Sequence, residues 1–96
     1  MSTPAQGTDY LAVILIAGGS SWGRHPDKAK AIKTALRIYK ADWGKLFKIR
    51  KGDEVVVNVV DVFPHNEVRF GDRGFWIGDS DEKLDRKIEH VTAMVP

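Results

Sequence analysis

Hydrophobic residues are grouped along this chain in a way that predicts three strands. Tyr10–Ala17 is an unbroken apolar run rich in branched side chains, which is typical of a strand covered on both faces. Glu54–Phe63 contains six valines, and β-branched side chains favour extended backbone over helix. Ile88–Val95 alternates in a way that predicts a final strand, although the wider apolar spacing from Leu84 onward also suits a helix.

A helical period lies between the first two strands. Apolar residues recur there at i, i+3, i+4 and i+7, which forms one stripe able to pack on a sheet. The stripe consists of Ile32, Ala35, Leu36, Tyr39 and Trp43. Pro26 suits the first turn of a helix, Asp27 suits its positive end, and Gly44 is a good stop. A helix over about Pro26–Asp42 is therefore predicted.

The remaining segments complete the predicted fold. Lys45–Arg50 is predicted to be a short strand that leads into a turn. Glu67–Gly78 is predicted to be a return strand that is broken by a turn at Asp72–Gly74. The sum is an α+β fold of two layers in the order β-α-β-β-β, with a mainly antiparallel sheet and one helix on one face. The other face is predicted to be open, which leaves a place for a partner subunit.

Length and composition narrow the class of protein. Ninety-six residues predict a flexible segment over 1–8 and one domain over 9–96, whose small core favours a homo-oligomer. The absence of cysteine excludes disulfides and thiolate metal sites and fits a reducing compartment. The longest apolar run is too short for a bilayer, and the N-terminus lacks the basic region of a signal peptide. A soluble, cytoplasmic protein is predicted.

Charge is distributed unevenly along the chain. The segment from Arg24 to Lys51 holds ten bases and two acids, a net charge of +8, whereas Gly52 to Pro96 holds five bases and ten acids, a net charge of −5. A molecule with one strongly basic part is suited to an anionic partner. No motif in the sequence specifies a reaction, so the prediction is a non-enzymatic binding module.

The segment Gly18–Arg24 is predicted to be a glycine-rich loop that joins the first strand to the helix. It partly resembles the phosphate-binding motif GxxxxGK[ST], but Arg24 and His25 replace the lysine and the hydroxyl residue, and the antiparallel context argues against an NTPase. Backbone N–H groups, serine hydroxyls and a guanidinium nevertheless suit a nucleotide or another phosphate-bearing ligand. The predicted ligand-binding residues are Ser20, Ser21, Trp22, Gly23, Arg24 and Lys28. The alternative is that Trp22 packs on the core and the glycines only form a bend.

Two further partners remain open. A basic stripe on the helix, at the spacing i, i+3, i+7 and i+10, would follow a nucleic-acid backbone and give salt-dependent binding. Its residues are Lys30, Lys33, Arg37 and Lys40. The third prediction is a protein inhibitor that docks on another protein by its open sheet face or by an edge strand.

Catalysis, metals and cofactors are not predicted. The three histidines, His25, His65 and His90, have no paired metal-ligand spacing. Ser20 or Ser21 near His25 lacks the GxSxG context of a nucleophile elbow. The acidic run over 79–85 lacks the glycine and the final glutamate of a calcium-binding loop. A membrane partner is not predicted either.

The layout of the chain resembles one class of small protein. The resemblance rests on a hydrophobic strand, the tripeptide Trp22-Gly23-Arg24, the helix sequence Ala31–Leu36 and a short meander. This order is similar to small accessory proteins encoded by bacteriophages and prophages. The resemblance implies a non-enzymatic role in host takeover or in the inhibition of host defence, in which a small oligomer binds a host protein or a signalling nucleotide.

Overall fold

A computed structural model describes residues 8–64, 66–71, 74–78 and 82–96. The predicted fold class is confirmed, because one helix packs on a four-stranded antiparallel sheet and a two-stranded sheet lies beside it. The elements are β1 (Asp9–Ile16), β2 (Gly19–His25), α1 (Lys28–Trp43), β3 (Glu54–Val62), β4 (Val68–Gly71), β5 (Gly74–Ile77) and β6 (Glu89–Met94). The large sheet has the order β2-β1-β3-β6, and the small sheet pairs β4 with β5.

Four of the segments predicted from hydrophobic patterns are confirmed with small shifts at their ends. The first apolar run forms β1, the valine-rich segment forms β3, the helical stripe forms α1, and the last segment forms the strand β6 rather than a helix. Helix α1 begins at Lys28 because the Asp27 carboxylate accepts hydrogen bonds from the N–H groups of Ala29 and Lys30. An Asp at this position satisfies donors that have no partner inside the helix.

The predicted loop at Gly18–Arg24 is wrong, because most of it forms β2. A two-residue turn at Ala17 and Gly18 reverses the chain, and Gly18 has a φ of +87° that favours glycine. Strand β2 then pairs with β1 along its whole length, from Gly19 opposite Ile16 to His25 opposite Tyr10. The element order is therefore β-β-α-β-β-β-β, with one more hairpin than predicted.

Two other local predictions are also wrong. Lys45–Arg50 is not a strand, because the chain continues in turns after α1, with Phe47 N–H bonded to the Trp43 carbonyl and Ile49 N–H to that of Gly44. The return strand does not extend the main sheet; it forms the separate hairpin of β4 and β5. The residues of its predicted turn at positions 72 and 73 lie outside the described residues, as do those at 79–81 and His65.

The large sheet is covered on both faces, so that the predicted open face is only partly open. On one face α1 packs over Ala12, Ile14, Val57 and Val59. On the other face the small hairpin and the chain near Leu84 cover a second cluster. That cluster contains Leu11, Val13, Val60, Val62, Phe75 and Leu84. Within the described part of the chain, no helix is long and apolar enough to cross a membrane.

Candidate functional site

Strand β2 carries small residues on the side that faces α1. Because side chains alternate along a strand, Gly19, Ser21 and Gly23 share that side. A Cβ atom on Gly23 would lie 2.5 Å from the Ala31 carbonyl oxygen and 2.7 Å from Thr34 Cβ, and one on Gly19 would lie 2.8 Å from the Trp43 ring. The glycines therefore bring the helix against the strand, which is a structural role.

The hydroxyl of Ser21 lies in this contact. Ser21 is 1% exposed, and its Oγ has no hydrogen-bond partner among the described residues. An unpaired buried hydroxyl costs free energy relative to a paired one. Ser20 and Trp22 lie on the opposite face of the sheet from Ser21, so the two adjacent serines do not converge on one point.

Arg24 joins three strands at one end of the sheet. Its Nε donates to the Asp9 carboxylate at 3.1 Å, and its Nη2 lies 3.0 Å from the carbonyl oxygens of both Phe63 and Pro64. The ion pair is largely shielded, with 22% of the Arg24 side chain and 16% of the Asp9 side chain exposed. The guanidinium therefore fastens the ends of β1, β2 and β3 to one another.

The N-terminus of α1 is also occupied by groups of this chain. The Asp27 carboxylate caps the helix, and its own backbone N–H donates to His25 Nδ1 at 2.8 Å. Lys28 forms an ion pair with Glu89 of β6. The negative charge of the Asp27 carboxylate makes binding of a second anion at this helix end less favourable. The ligand-binding role of Ser20, Ser21, Trp22, Gly23, Arg24 and Lys28 stays a prediction, and these residues face different sides of the sheet.

We expect Arg24→Ala to lower the free energy of unfolding by about 1–3 kcal/mol, because it removes the ion pair of the shielded Asp9 carboxylate and one donor from each of the carbonyl groups of Phe63 and Pro64. Urea denaturation measured by circular dichroism checks this value. The matched control is Arg37→Ala on the exposed side of α1, which should change stability by less than about 0.5 kcal/mol. Equal effects of the two substitutions would contradict the structural role of Arg24.

The predicted basic stripe lies on the solvent side of α1. Lys30, Lys33, Arg37 and Lys40 are all exposed, opposite the buried Ala31, Ala35 and Leu36. The Nζ of Lys40 donates to the Pro96 carbonyl at 2.9 Å. The side chains of the other three make no hydrogen bond or ion pair with any residue that the structure describes.

The charged surface continues beyond the end of the helix. Lys45, Lys48, Arg50 and Lys51 are exposed in the turns that follow α1. We call the two groups together the cationic surface, which consists of Lys30, Lys33, Arg37, Lys40, Lys45, Lys48, Arg50 and Lys51. Its helix part lies on one side of the main sheet, whereas the β4 and β5 hairpin lies on the other side.

Sequence reasoning missed a second stripe on α1, next to the edge of β2. Thr34, Ile38 and Asp42 follow one another at intervals of four residues and face a groove along Ser20–Arg24. The groove has a volume of about 490 Å³. The i, i+4, i+8 spacing was visible in the sequence, but a stripe that mixes a threonine, an isoleucine and an aspartate does not stand out in a hydrophobic pattern.

The aromatic residues divide between core and surface. Phe75 is 4% exposed and belongs to the second cluster, while its neighbour Trp76 is only half-buried, between the side chains of Arg69 and Lys83. Trp22 is 49% exposed and meets Phe70 edge-on at 6.4 Å between ring centroids. Only Trp76 of these two adjacent aromatics therefore reaches the surface.

Titratable side chains do not assemble into a metal site in the described residues, where no group of three or more His, Asp or Glu lies together. His90 Nδ1 lies 2.8 Å from Asn58 Oδ1 on the sheet surface. Among the described residues neither serine of β2 forms a hydrogen bond with His25. The described geometry therefore brings together no nucleophile and base.

Comparison with known proteins adds no functional information. No protein-family model, no curated protein and no solved structure matches this chain. The resemblance in layout to small bacteriophage proteins stays a prediction.

Proposed function

We propose that this protein is a non-enzymatic binding protein that engages nucleic acid through its cationic surface. One observation carries the proposal: Lys30, Lys33 and Arg37 lie together on the exposed side of α1 without an intramolecular partner among the described residues. Other cations of the chain, Arg24 and Lys28, are held in ion pairs. The unpaired cations are the ones available to a phosphate backbone.

The dimensions and chemistry of this surface support a polymer rather than a small anion. With a rise of 1.5 Å per residue, Lys30 to Lys40 extends over about 15 Å of helix, and the turns that follow α1 lengthen the surface further. It is convex and exposed, whereas a small ligand is usually held in a concave pocket. Lysine and arginine side chains on such a surface neutralise successive phosphates and release counterions.

The uneven charge distribution supports an oriented encounter. The overall charge is only +2, because residues 52–96 carry a net charge of −5. The resulting field attracts a polyanion to the helix layer and repels it from the acidic segment. Binding of this kind is fast and strongly dependent on salt.

We expect the double variant Lys33→Glu with Arg37→Glu to bind nucleic acid on the order of 100-fold more weakly at low salt, because it replaces two phosphate contacts with repulsion. The slope of log K against log salt concentration should also fall in magnitude by about 2. Fluorescence anisotropy with labelled single-stranded and double-stranded oligonucleotides over a range of KCl concentrations measures both quantities.

The matched control changes the same residue types elsewhere. Arg86→Glu with Lys87→Glu alters two exposed residues of the 3-10 turn Asp85–Lys87, which do not belong to the cationic surface. This control has the same net charge as the test variant and should retain most of the affinity. Equal losses in the two double variants, or no binding of the unaltered protein to either oligonucleotide at low salt, would overturn the proposal.

A further inference from the structure

Strand β2 is an edge strand of the large sheet, and no other strand of the described residues pairs with its outer side. It is the first strand in the order β2-β1-β3-β6, and its seven residues pair with β1 without a bulge. Natural proteins usually protect such an edge with proline, lysine, a bulge or a covering segment. The sequence GSSWGRH of β2 contains neither proline nor lysine.

The backbone groups on this edge can be assigned from the hairpin. A two-residue turn makes Ile16 and Gly19 a hydrogen-bonded pair, and such pairs alternate along an antiparallel ladder. The N–H and C=O groups of Gly19, Ser21 and Gly23 therefore point toward β1. Those of Ser20, Trp22 and Arg24 point away from it, toward the open edge.

We propose that a second copy of this chain occupies this edge, with β2 of one copy antiparallel to β2 of the other and a two-fold axis at Trp22. This pairing joins the two large sheets into one continuous sheet. Trp22 exchanges backbone hydrogen bonds with Trp22 of the second copy, and Ser20 does so with Arg24 of the second copy. Every outward backbone group of Ser20, Trp22 and Arg24 then has a partner.

The position of α1 fits a second helix across the axis. Helix α1 contacts β2 and β1 much more extensively than β3 or β6, so it lies mainly above the space between β2 and β1. Neighbouring strands are about 4.8 Å apart, which places the two helices about 10 Å apart across the axis. This separation is within the usual range for packed helices.

The register set by Trp22 also makes the facing sides of the helices complementary. Gly23 lies under Ala31 and Thr34, and Gly19 lies under Trp43. Trp22 is one residue from Gly23 toward Gly19, so interpolation along the helix places the axis at Trp22 close to Leu36. Residues at equal distances from that point then face each other on the two antiparallel helices. Thr34 faces Ile38 of the second copy, and Lys30 faces Asp42 of the second copy, so that in the dimer Lys33 and Arg37 are the helix cations that stay available to nucleic acid.

Other features of the edge agree with this occupant. The Thr34, Ile38 and Asp42 stripe has no lysine or arginine among its members, and Lys30, which precedes it at the same spacing, meets a carboxylate rather than another cation, so two copies can approach there without bringing like charges together. The Oγ of Ser21, which lacks a partner among the described residues, faces the same groove beside Gly23 of the second copy. On the opposite face, the two exposed Trp22 rings become a cross-strand aromatic pair.

Sedimentation equilibrium or light scattering over a range of protein concentrations tests the pairing. The unaltered protein should have twice the monomer mass of 10.7 kDa at micromolar concentration. Ser20→Pro removes an outward N–H that β1 does not use, so it should give a monomer with a similar circular dichroism spectrum. Ser20→Ala keeps the N–H and should remain dimeric. A monomeric unaltered protein, or a dimer that Ser20→Pro leaves intact, would overturn the proposal.

A charge exchange tests the register separately. Asp42→Lys places a lysine opposite Lys30 and should raise the dimer dissociation constant by about tenfold or more. The double variant Asp42→Lys with Lys30→Asp restores the opposite charges and should recover most of the affinity. Failure of the double variant to recover would refute the helix pairing. Neither experiment depends on nucleic acid, so the result is independent of the proposed binding function.

Discussion

Gly23→Ala is expected to destabilise the protein by about 3 kcal/mol, because the added methyl group has no space between β2 and α1. Its carbon would lie 2.5 Å from the Ala31 carbonyl oxygen and 3.0 Å from the Ala35 backbone nitrogen. These are backbone atoms, which cannot rotate out of the way as a side chain can. Overpacking of a core typically costs 1–3 kcal/mol, and this contact lies at the upper end.

Urea denaturation and thermal unfolding measure the effect of Gly23→Ala. A loss of this size corresponds to a fall in Tm of roughly 12 °C or more for a domain of this length. The control is Gly18→Ala, because Gly18 has a positive φ of +87° but no neighbour within 4 Å of a Cβ atom. That substitution should cost only about 1 kcal/mol of backbone strain. A smaller effect at Gly23 than at Gly18 would contradict the close packing of strand and helix.

Leu84→Ala is expected to cost about 3 kcal/mol, because Leu84 is 1% exposed although it lies outside the named strands. Its side chain belongs to the cluster of Leu11, Val60 and Phe75, and its N–H donates to the Phe75 carbonyl at 2.8 Å. Truncation of a buried leucine loses the free energy gained by burying its methyl groups away from water and also leaves a cavity, and the two effects together cost about 2–5 kcal/mol.

The free energy of unfolding from urea denaturation measures the effect of Leu84→Ala. The matched control is Leu46→Ala, since Leu46 is 70% exposed in the turns after α1. It should change the free energy by less than about 0.5 kcal/mol. A similar small effect at Leu84 would mean that the second face of the sheet lacks a packed cluster.

The sequence predicts well those parts of the fold whose hydrophobic residues follow a clear periodicity that fits only one type of secondary structure. The six valines of Glu54–Phe63 leave little alternative to a strand, and the apolar stripe of α1 fixes both its length and its buried side. The strand β6 was distinguished from a helix by alternation over a short segment. In each of these cases the local preference and the tertiary packing agree.

The glycine-rich segment shows why the rest was not predicted. Glycine in a sequence usually marks a loop, and Gly18 does form a turn, but Gly19 and Gly23 lie in a strand because the helix must come close to it. This requirement comes from the tertiary structure, because it depends on how closely Ala31 and Thr34 of α1 pack against Gly23. Local propensity carries no information about it.

The candidate site was predictable only in part for a similar reason. Periodicity correctly placed Lys30, Lys33, Arg37 and Lys40 on one exposed side of α1. It did not reveal that Arg24 is held by Asp9 and by carbonyl groups near Phe63, because these partners come from β1 and from the end of β3. Whether a cation is free to bind depends on contacts between segments distant in sequence.

The order of strands also has a consequence for the protein during its synthesis. Strand β1 precedes the other strands in the sequence but lies inside the sheet, where Tyr10 pairs on one side with His25 and on the other with Asp61. As the ribosome releases the chain, β2 becomes available to β1 early, whereas β3 emerges only after the whole of α1. During that interval the apolar strand β1 keeps one unpaired side, and an exposed strand of this kind is prone to association with other nascent chains.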